Sequence, residues 1–264
     1  METFEIKGGI LEYIDETHTY IYNGIVLPSV TQMLKVKFGN KYDGLPKDVL
    51  ERAAERGSAL HKAIEEYEKH GIESDVPELR NWKFLKRAYK FECIDNEVPI
   101  VLFQDGNPVA CGRLDLVIKE GDNIGLGDIK RTATLDKEYL AYQLNLYRIA
   151  YQQCYGGNIE FLRGVHLRND IRKYVSLPIN EDFAKTIIND YKRSVNNEAT
   201  VNITFKDGTN ESYFDGDFFS YQFKTDLEDK NTEFVKIGDN FIRKCDIART
   251  SATAIMEEAK GETV

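Results

Sequence analysis

The sequence predicts an α+β fold with a small β-rich appendage at its end. Three observations lead there. Apolar residues recur at helical spacing over residues 47–70, 77–91, 137–155 and 181–196, and they alternate through three consecutive runs at 98–103, 109–118 and 124–130. Two aspartates, Asp115 and Asp128, fall near the ends of adjacent strands in that series. After residue 199 the long periodic segments give way to short strand patterns.

The elements follow in order. Residues 10–27 read as a meander of three short runs, 10–14, 19–22 and 25–27, with turns at Asp15-Glu16 and Asn23-Gly24. Asn-Gly between alternating apolar residues is a strong hairpin signal. Pro28-Ser29-Val30-Thr31 opens a helix with Ser29 as its N-cap. Lys35, Lys37 and Lys41 follow as a solvated face. Pro46 starts the helix over 47–70, closed by Gly71, with Val49, Leu50, Ala53, Leu60, Ala63, Ile64 and Tyr67 as its apolar stripe. Gly57 interrupts it at a cost of roughly 1 kcal/mol relative to Ala, which points to close approach of something to the backbone. In the helix over 77–91, Trp82, Leu85 and Tyr89 are spaced for burial, while Arg80, Lys83, Lys86, Arg87 and Lys90 form a basic face. That face suits a phosphate backbone or plain solvent equally well.

Glu97 opens the first strand of the central meander, a weak candidate for a site nearby. The aromatic helix over 137–155 ends at Gly156-Gly157 and offers Tyr139, Tyr142, Leu146, Ile149 and Ala150 for burial. Gln143 and Tyr147 are i, i+4 neighbours on it and can point at one object. Strands over 159–167 and 171–177 flank a turn at Asn169-Asp170, and Asn180 caps the closing helix. The appendage has expected strands at 201–205, 212–214, 218–223, 233–237 and 241–245, then a tail from Ser251 that is a short helix or frayed. The organisation is therefore a principal domain over 1–199 (meander about 10–27, core about 46–178, closing helix about 181–196) and an appendage over 200–264.

Composition narrows the class. The chain has 264 residues, 42% hydrophobic and 30% charged, as a globular protein should. No apolar run approaches the ~18 residues of a membrane span, and residues 1–10 carry no apolar h-region, so neither a membrane segment nor a signal peptide is expected. The four cysteines, Cys93, Cys111, Cys154 and Cys245, are scattered without a CxxC pair. Free thiols in a reducing cytoplasm are the expectation. The net charge of −9 excludes a protein that coats nucleic acid over its whole surface. Residues 200–264 hold 8 Lys/Arg against 13 Asp/Glu, more than half of that excess, so direct nucleic-acid contact by the appendage is disfavoured.

The chemistry concentrates in Gly112-Arg113-Leu114-Asp115 and Asp128-Ile129-Lys130. A hairpin brings the ends of its strands together, so Asp115, Asp128 and Lys130 meet at one sheet edge. Two carboxylates and an ammonium make little sense in a core. They make good sense around a divalent cation, which prefers hard oxygen ligands. On pattern alone the helical His61 is more often structural than a ligand.

Taken together, Gly57-Ser58-Ala59-Leu60-His61, Gly112-Arg113-Leu114-Asp115, Asp128-Ile129-Lys130 and Gln143-Leu144-Asn145-Leu146-Tyr147 resemble, in order and spacing, the RecB-like branch of the PD-(D/E)xK nuclease superfamily. The opening His18-Thr19-Tyr20 through Pro28-Ser29-Val30-Thr31 is similar to phage-encoded members. The resemblance covers roughly residues 18–178. It implies a restriction-endonuclease-like αβββαβ core, a mixed central sheet flanked by helices. It implies that His61, Asp115, Asp128 and the Ile129 carbonyl hold Mg²⁺ or Mn²⁺, and that Lys130 orients or activates the attacking water. It implies substrate contacts from Gln143 and Tyr147, with Arg113, Arg131 and Gly57 as further candidates. Some relatives carry an iron–sulfur cluster on four cysteines; Cys154 alone follows Tyr147 closely, so no iron–sulfur cluster is expected.

The activity implied is a metal-dependent deoxyribonuclease, an exonuclease acting at DNA ends in phage or mobile-element recombination or replication, in the host cytoplasm. Two other readings stand beside it. One is a nuclease-fold component that binds DNA or protein without turnover; the other is a structural domain in which Asp115 and Asp128 sit in ion pairs. Ring-forming relatives admit a homo-oligomer, and a single-strand annealing protein or other recombination protein is a candidate partner of the appendage.

Overall fold

The computed structural model describes residues 1–40, 44, 46–196, 199–214, 233–237 and 240–254. The chain divides into two compact units, Met1–Ile187 and Ile188–Val264. The division falls inside the last helix, ahead of the change of pattern near residue 200.

The first unit begins with an antiparallel sheet of β1 (Glu2–Ile6), β2 (Gly9–Ile14), β3 (Thr19–Tyr22) and β4 (Ile25–Leu27), in that order. The meander therefore starts one strand earlier than the sequence suggested. β1 is a short run rich in exposed acid, and its pairing with β2 supplies what its own pattern lacks. Helix α1 (Val30–Phe38) starts at Ser29, whose hydroxyl accepts from the Gln32 N–H at 3.1 Å while Gln32 Oε1 accepts from the Ser29 N–H at 2.6 Å. This reciprocal cap satisfies two donors that a helix start otherwise strands.

Helix α2 (Lys47–His70) ends at Gly71 in the left-handed region (φ 68°), and α3 (Glu78–Tyr89) follows. Only the C-terminal part of α2 packs: Leu60, Ala63 and Ile64 are buried. Val49 is 43% exposed and Ala53 is exposed, so the expected apolar stripe does not extend along the first three turns. Periodicity names the face of a helix but not how far it runs beyond the body that could cover it.

The main sheet has the order β5-β6-β7-β8-β9, from Phe91–Gln104, Asn107–Glu120, Asn123–Lys130, Phe161–Arg168 and Ile171–Leu177. Neighbours are antiparallel except β7 and β8, which are parallel and joined by α4 (Lys137–Tyr155). A parallel pair needs such a crossover. The fold is thus α+β with a mixed sheet, as the sequence predicts. One face of the sheet packs on α2 and α3 through Leu60, Ile64, Leu79, Trp82, Leu85, Leu116, Ile129 and Val165. α4 also packs on the sheet, with Leu140 reaching Gly164 of β8. Helix α5 (Glu181–Asn196) follows, with Phe183 stacked on Tyr142 of α4.

The second unit contains the sheet β11-β10-β14, from β10 (Ala199–Phe205), β11 (Asn210–Phe214) and β14 (Ile247–Ala254), and the hairpin of β12 (Phe234–Ile237) and β13 (Asn240–Arg243). Ile203, Val235 and Ile242 form its small core. The stretch from Ser251, expected as helix or frayed chain, continues β14 to Ala254 because β10 pairs with it. The expected strand at 218–223 lies outside the described residues. No helix among the described residues is long and apolar enough to cross a membrane.

Candidate metal centre

Strands β6 and β7 stop pairing at Leu116↔Gly127, one residue short of Asp115 and Asp128. The strands separate there. The Ile129 N–H that loses its ladder partner donates instead to Asp115 Oδ2, at 2.7 Å. Alternation along β7 then sends Ile129 into the core and Asp128 and Lys130 to the other side.

The third strand brings an acid to the same point. In β5, Asn96 pairs with Leu116 and Val98 with Leu114, which sets Glu97 opposite Asp115. Like charges directly opposed across strands destabilise a sheet. Glu97 also has φ 51°, in the left-handed region, just after an irregularity in register between Cys93 and Asp95. A non-glycine residue held there costs of order 1–3 kcal/mol, and such strain clusters at functional sites.

Helix α2 supplies His61 from above. Its Nδ1 lies 3.1 Å from Glu97 Oε1 and 3.7 Å from Asp115 Oδ1, and its Nε2 lies 3.3 Å from the Ile129 carbonyl oxygen. Ligand atoms of His61, Glu97 and Asp115 all fall within 4.8 Å of one another. Both ring nitrogens face acceptors, so the ring is held as the imidazolium. Burial alone would lower its pKa; Asp115 and Glu97 outweigh that and raise it to about 9.

Asp128 is 1% exposed, and Lys130 Nζ lies 2.5 Å from its Oδ2. That contact is an ion pair without hydrogen-bond alignment, and Oδ1 is buried with no partner among the described residues. Burial, then repulsion from Asp115, raises the Asp128 pKa to about 6 against the pull of Lys130. Burial likewise raises Asp115, opposed by His61 and Lys130. Lys130 is raised despite its burial, because Asp128 and Asp115 favour its charge. It is an ammonium.

The residues fit a divalent cation. Three carboxylates face one ammonium, an excess of two negative charges once His61 gives up its proton. One buried carboxylate oxygen has no donor. An imidazole, carboxylates and a backbone carbonyl form a donor set for Mg²⁺ or Mn²⁺, the imidazole favouring the transition metal.

The other expected site side chains lie around this cluster, buried or already paired. Tyr147 is 5% exposed and Gln143 4%; burial, then Tyr20, Asp115 and Asp128, push the Tyr147 hydroxyl well above its usual pKa. A Cβ on Gly112 would meet the Tyr147 ring at 2.9 Å, which gives the glycine of the Gly112–Asp115 stretch its reason. Arg113 pairs with Glu2 and lies over the rings of Tyr13 and Phe4, with Cζ 5.0 and 5.6 Å from their centroids. Arg131 is bound to the buried Glu78 at 2.8 Å. Both arginines hold partners within the fold, 111 and 53 residues away, beyond any local pattern. A Cβ on Gly57 would meet nothing within 4 Å among the described residues, so none of them makes the close approach its position suggested.

One residue had no signal in the sequence. His166 is 2% exposed and pairs with Lys130 across the parallel β7–β8 ladder. Its Nε2–H donates to the Thr132 carbonyl at 2.7 Å, holding the segment just past Lys130. A parallel pairing made through a helical crossover cannot be read from spacing.

No family model matches the chain, and no curated protein matches it. Among solved structures it is similar to one titled "Crystal structure of SSO0001", at a TM-score of 0.37 and 19% identity over 64% of this chain and 75% of that chain. A likeness this loose carries no argument about function.

Proposed function

We propose that the protein is a metal-dependent deoxyribonuclease with a restriction-endonuclease-like core, acting as an exonuclease at DNA ends in phage or mobile-element recombination or replication. The observation that carries this reading is the convergence of His61, Glu97 and Asp115 from α2, β5 and β6 beside the Asp128–Lys130 pair of β7. A purely structural site would pair its charges; this one keeps an excess of buried carboxylate.

Each residue then has a task. Asp115, Asp128, His61 and the Ile129 carbonyl would hold Mg²⁺ or Mn²⁺, with Glu97 as an additional acid. The bound ion supplies Lewis acidity, bringing the pKa of water toward neutrality and offsetting charge on the phosphate. Lys130 stays charged, so it positions the water and the phosphate and does not act as a neutral base. Gln143 and Tyr147 keep β6 and α4 in place behind the carboxylates. A homo-oligomer, and a recombination protein as partner of the second unit, belong to the same reading.

The test uses end-labelled linear and circular, single- and double-stranded DNA with Mg²⁺, Mn²⁺ or EDTA. Wild type should degrade linear DNA only, and Asp128→Ala and Lys130→Ala should lose the activity. Cutting of closed circles would make the enzyme an endonuclease. Equal behaviour of all three proteins would mean that Asp128 and Lys130 carry no catalysis.

A further inference from the structure

Four of the five cations in the expected helix over 77–91 fall on α3, with Lys90 as its C-cap, and the structure divides the four. Lys83 and Lys86 turn inward, to Glu73 at 2.7 Å and Glu68 at 2.6 Å. Arg80 and Arg87 stay exposed on the outer face with Phe84 between them, and Phe84 is 40% exposed. Among the described residues neither arginine has an ion pair. The one carboxylate of α3, Glu78, is buried on Arg131.

A third arginine joins them from β9. Arg172 is exposed, and its Cζ lies 3.8 Å from the centroid of the Phe84 ring. Stacking occupies the faces of a guanidinium and leaves its N–H donors, which lie in its plane, free for an anion. The turn before Arg172 is tied to α3 by Asn81 Nδ2, which donates to the Asn169 carbonyl at 2.7 Å, so the two elements hold these arginines in fixed relation. Glu73 and Asp75 border Arg80 on the side of the α2–α3 loop, and Asp170 precedes Arg172.

We propose that Arg80, Arg87 and Arg172, with Arg172 preset on Phe84, form a second nucleic-acid surface that binds the sugar–phosphate backbone of a strand leaving the metal centre. Charge complementarity argues for a polyanion: three guanidiniums without ion pairs stand out on a chain of net charge −9. Position argues for nucleic acid. The first turn of α3 holds Arg131, the residue after Lys130, so the row of arginines begins beside the end of β7, on the side Ile129 shares. From Arg80 to Arg87 it runs roughly 10 Å away along the helix. The acids beside Arg80 confine the strand to the Phe84–Arg87 side. The identity of the strand rests on the nuclease reading; the surface itself does not.

The test measures fluorescence anisotropy of labelled single-stranded and duplex DNA with the full chain in EDTA, over a salt series. Arg80→Gln/Arg87→Gln/Arg172→Gln should weaken binding about 10- to 100-fold near ~0.1 M salt and lower the slope of log affinity against log salt by about 2–3. Phe84→Ala should weaken binding by about 3- to 10-fold at unchanged slope, since it frees Arg172 without removing charge. Melting temperatures show that each variant is folded. Unchanged affinity and slope in the triple variant would overturn the proposal, and so would absence of DNA binding by wild type. Equal displacement of DNA by polyglutamate would also overturn it, since the surface would then serve an acidic protein. Cleavage is scored separately. A wild type that cleaves while the triple variant binds normally sinks this surface alone; a wild type that never cleaves while the triple variant loses binding sinks the nuclease reading alone.

Discussion

Strand β6 carries a polar cluster at each end of its ladder with β7, and the two are built on opposite principles. At one end Glu120 accepts from Arg163 Nε and Nη2, both at 2.8 Å, and from the Tyr174 hydroxyl at 2.8 Å. Arg163 also lies over the Phe161 ring. Every strong group there has a partner, and the Glu120 pKa is lowered: burial works against that, but the donors of Arg163 and Tyr174 win. Roughly 17 Å along the same strand, Asp115 and Asp128 are pushed the other way, with an orphaned oxygen between them. A structural ion pair stabilises its carboxylate; a binding site leaves its carboxylates wanting a cation. The direction of the shift separates the two where residue composition does not.

The comparison can be broken most sharply by exchanging charge at each end. Asp128→Asn should abolish metal-dependent cleavage, a loss of about a thousandfold or more given what such an ion supplies, yet stabilise the metal-free protein by on the order of 1 kcal/mol by removing a charge that burial and Asp115 disfavour despite Lys130. Glu120→Gln should leave cleavage within about threefold while costing roughly 2 kcal/mol in denaturant melts, because the three hydrogen bonds to the carboxylate are weakened or lost. If both variants destabilise alike and both keep activity, the two ends do not differ in kind.

Cation binding gives the next effect. Mn²⁺ at about 100 times its dissociation constant should stabilise wild type by about 2.7 kcal/mol, and Glu120→Gln by as much, but not Asp128→Asn; thermal shift measures it. The same binding should tighten as pH rises from about 6 to about 9, since Asp128 and then His61 must release protons held at those values. Calorimetry in buffers of different ionisation enthalpy reads the protons released. Affinity independent of pH would mean that neither group is a ligand.

Acid should discriminate in the reverse sense. Asp128 has a raised folded pKa, so the metal-free protein loses that penalty as pH falls from about 6 toward the unfolded carboxylate range, and this contribution alone favours folding on mild acidification. Glu78 and Glu120 have lowered folded values, so their stabilisation is present above the unfolded pKa and is lost as pH falls through the folded one. Melts of wild type, Asp128→Asn and Glu120→Gln across mild acid should therefore diverge in sign. The smallest expected effect concerns α2: Gly57→Ala should stabilise by about 1 kcal/mol, because the helix is regular there and nothing crowds the added methyl. A loss of DNA affinity in that variant would restore the glycine to the substrate path.

Much of this chain was legible as pattern. Periodicity places α1 through α5, the second half of β5 and β6 through β9, because each element buries one face and the period records which. The Gly112–Asp115 and Asp128–Lys130 stretches mark the two central carboxylates, because strand ends joined by a short turn must meet. Tertiary structure alone decided the rest. It set Glu97 opposite Asp115 through an irregular strand, turned the ring of His61 between carboxylate and carbonyl, and gave Arg113 and Arg131 partners of their own. It left half of α2 bare and swung Lys83 and Lys86 inward while Arg80 and Arg87 stayed out. Local spacing encodes which face of an element is apolar, since that is a property of neighbours in the chain. Which charges end up paired depends on groups tens of residues away, and only packing brings those together.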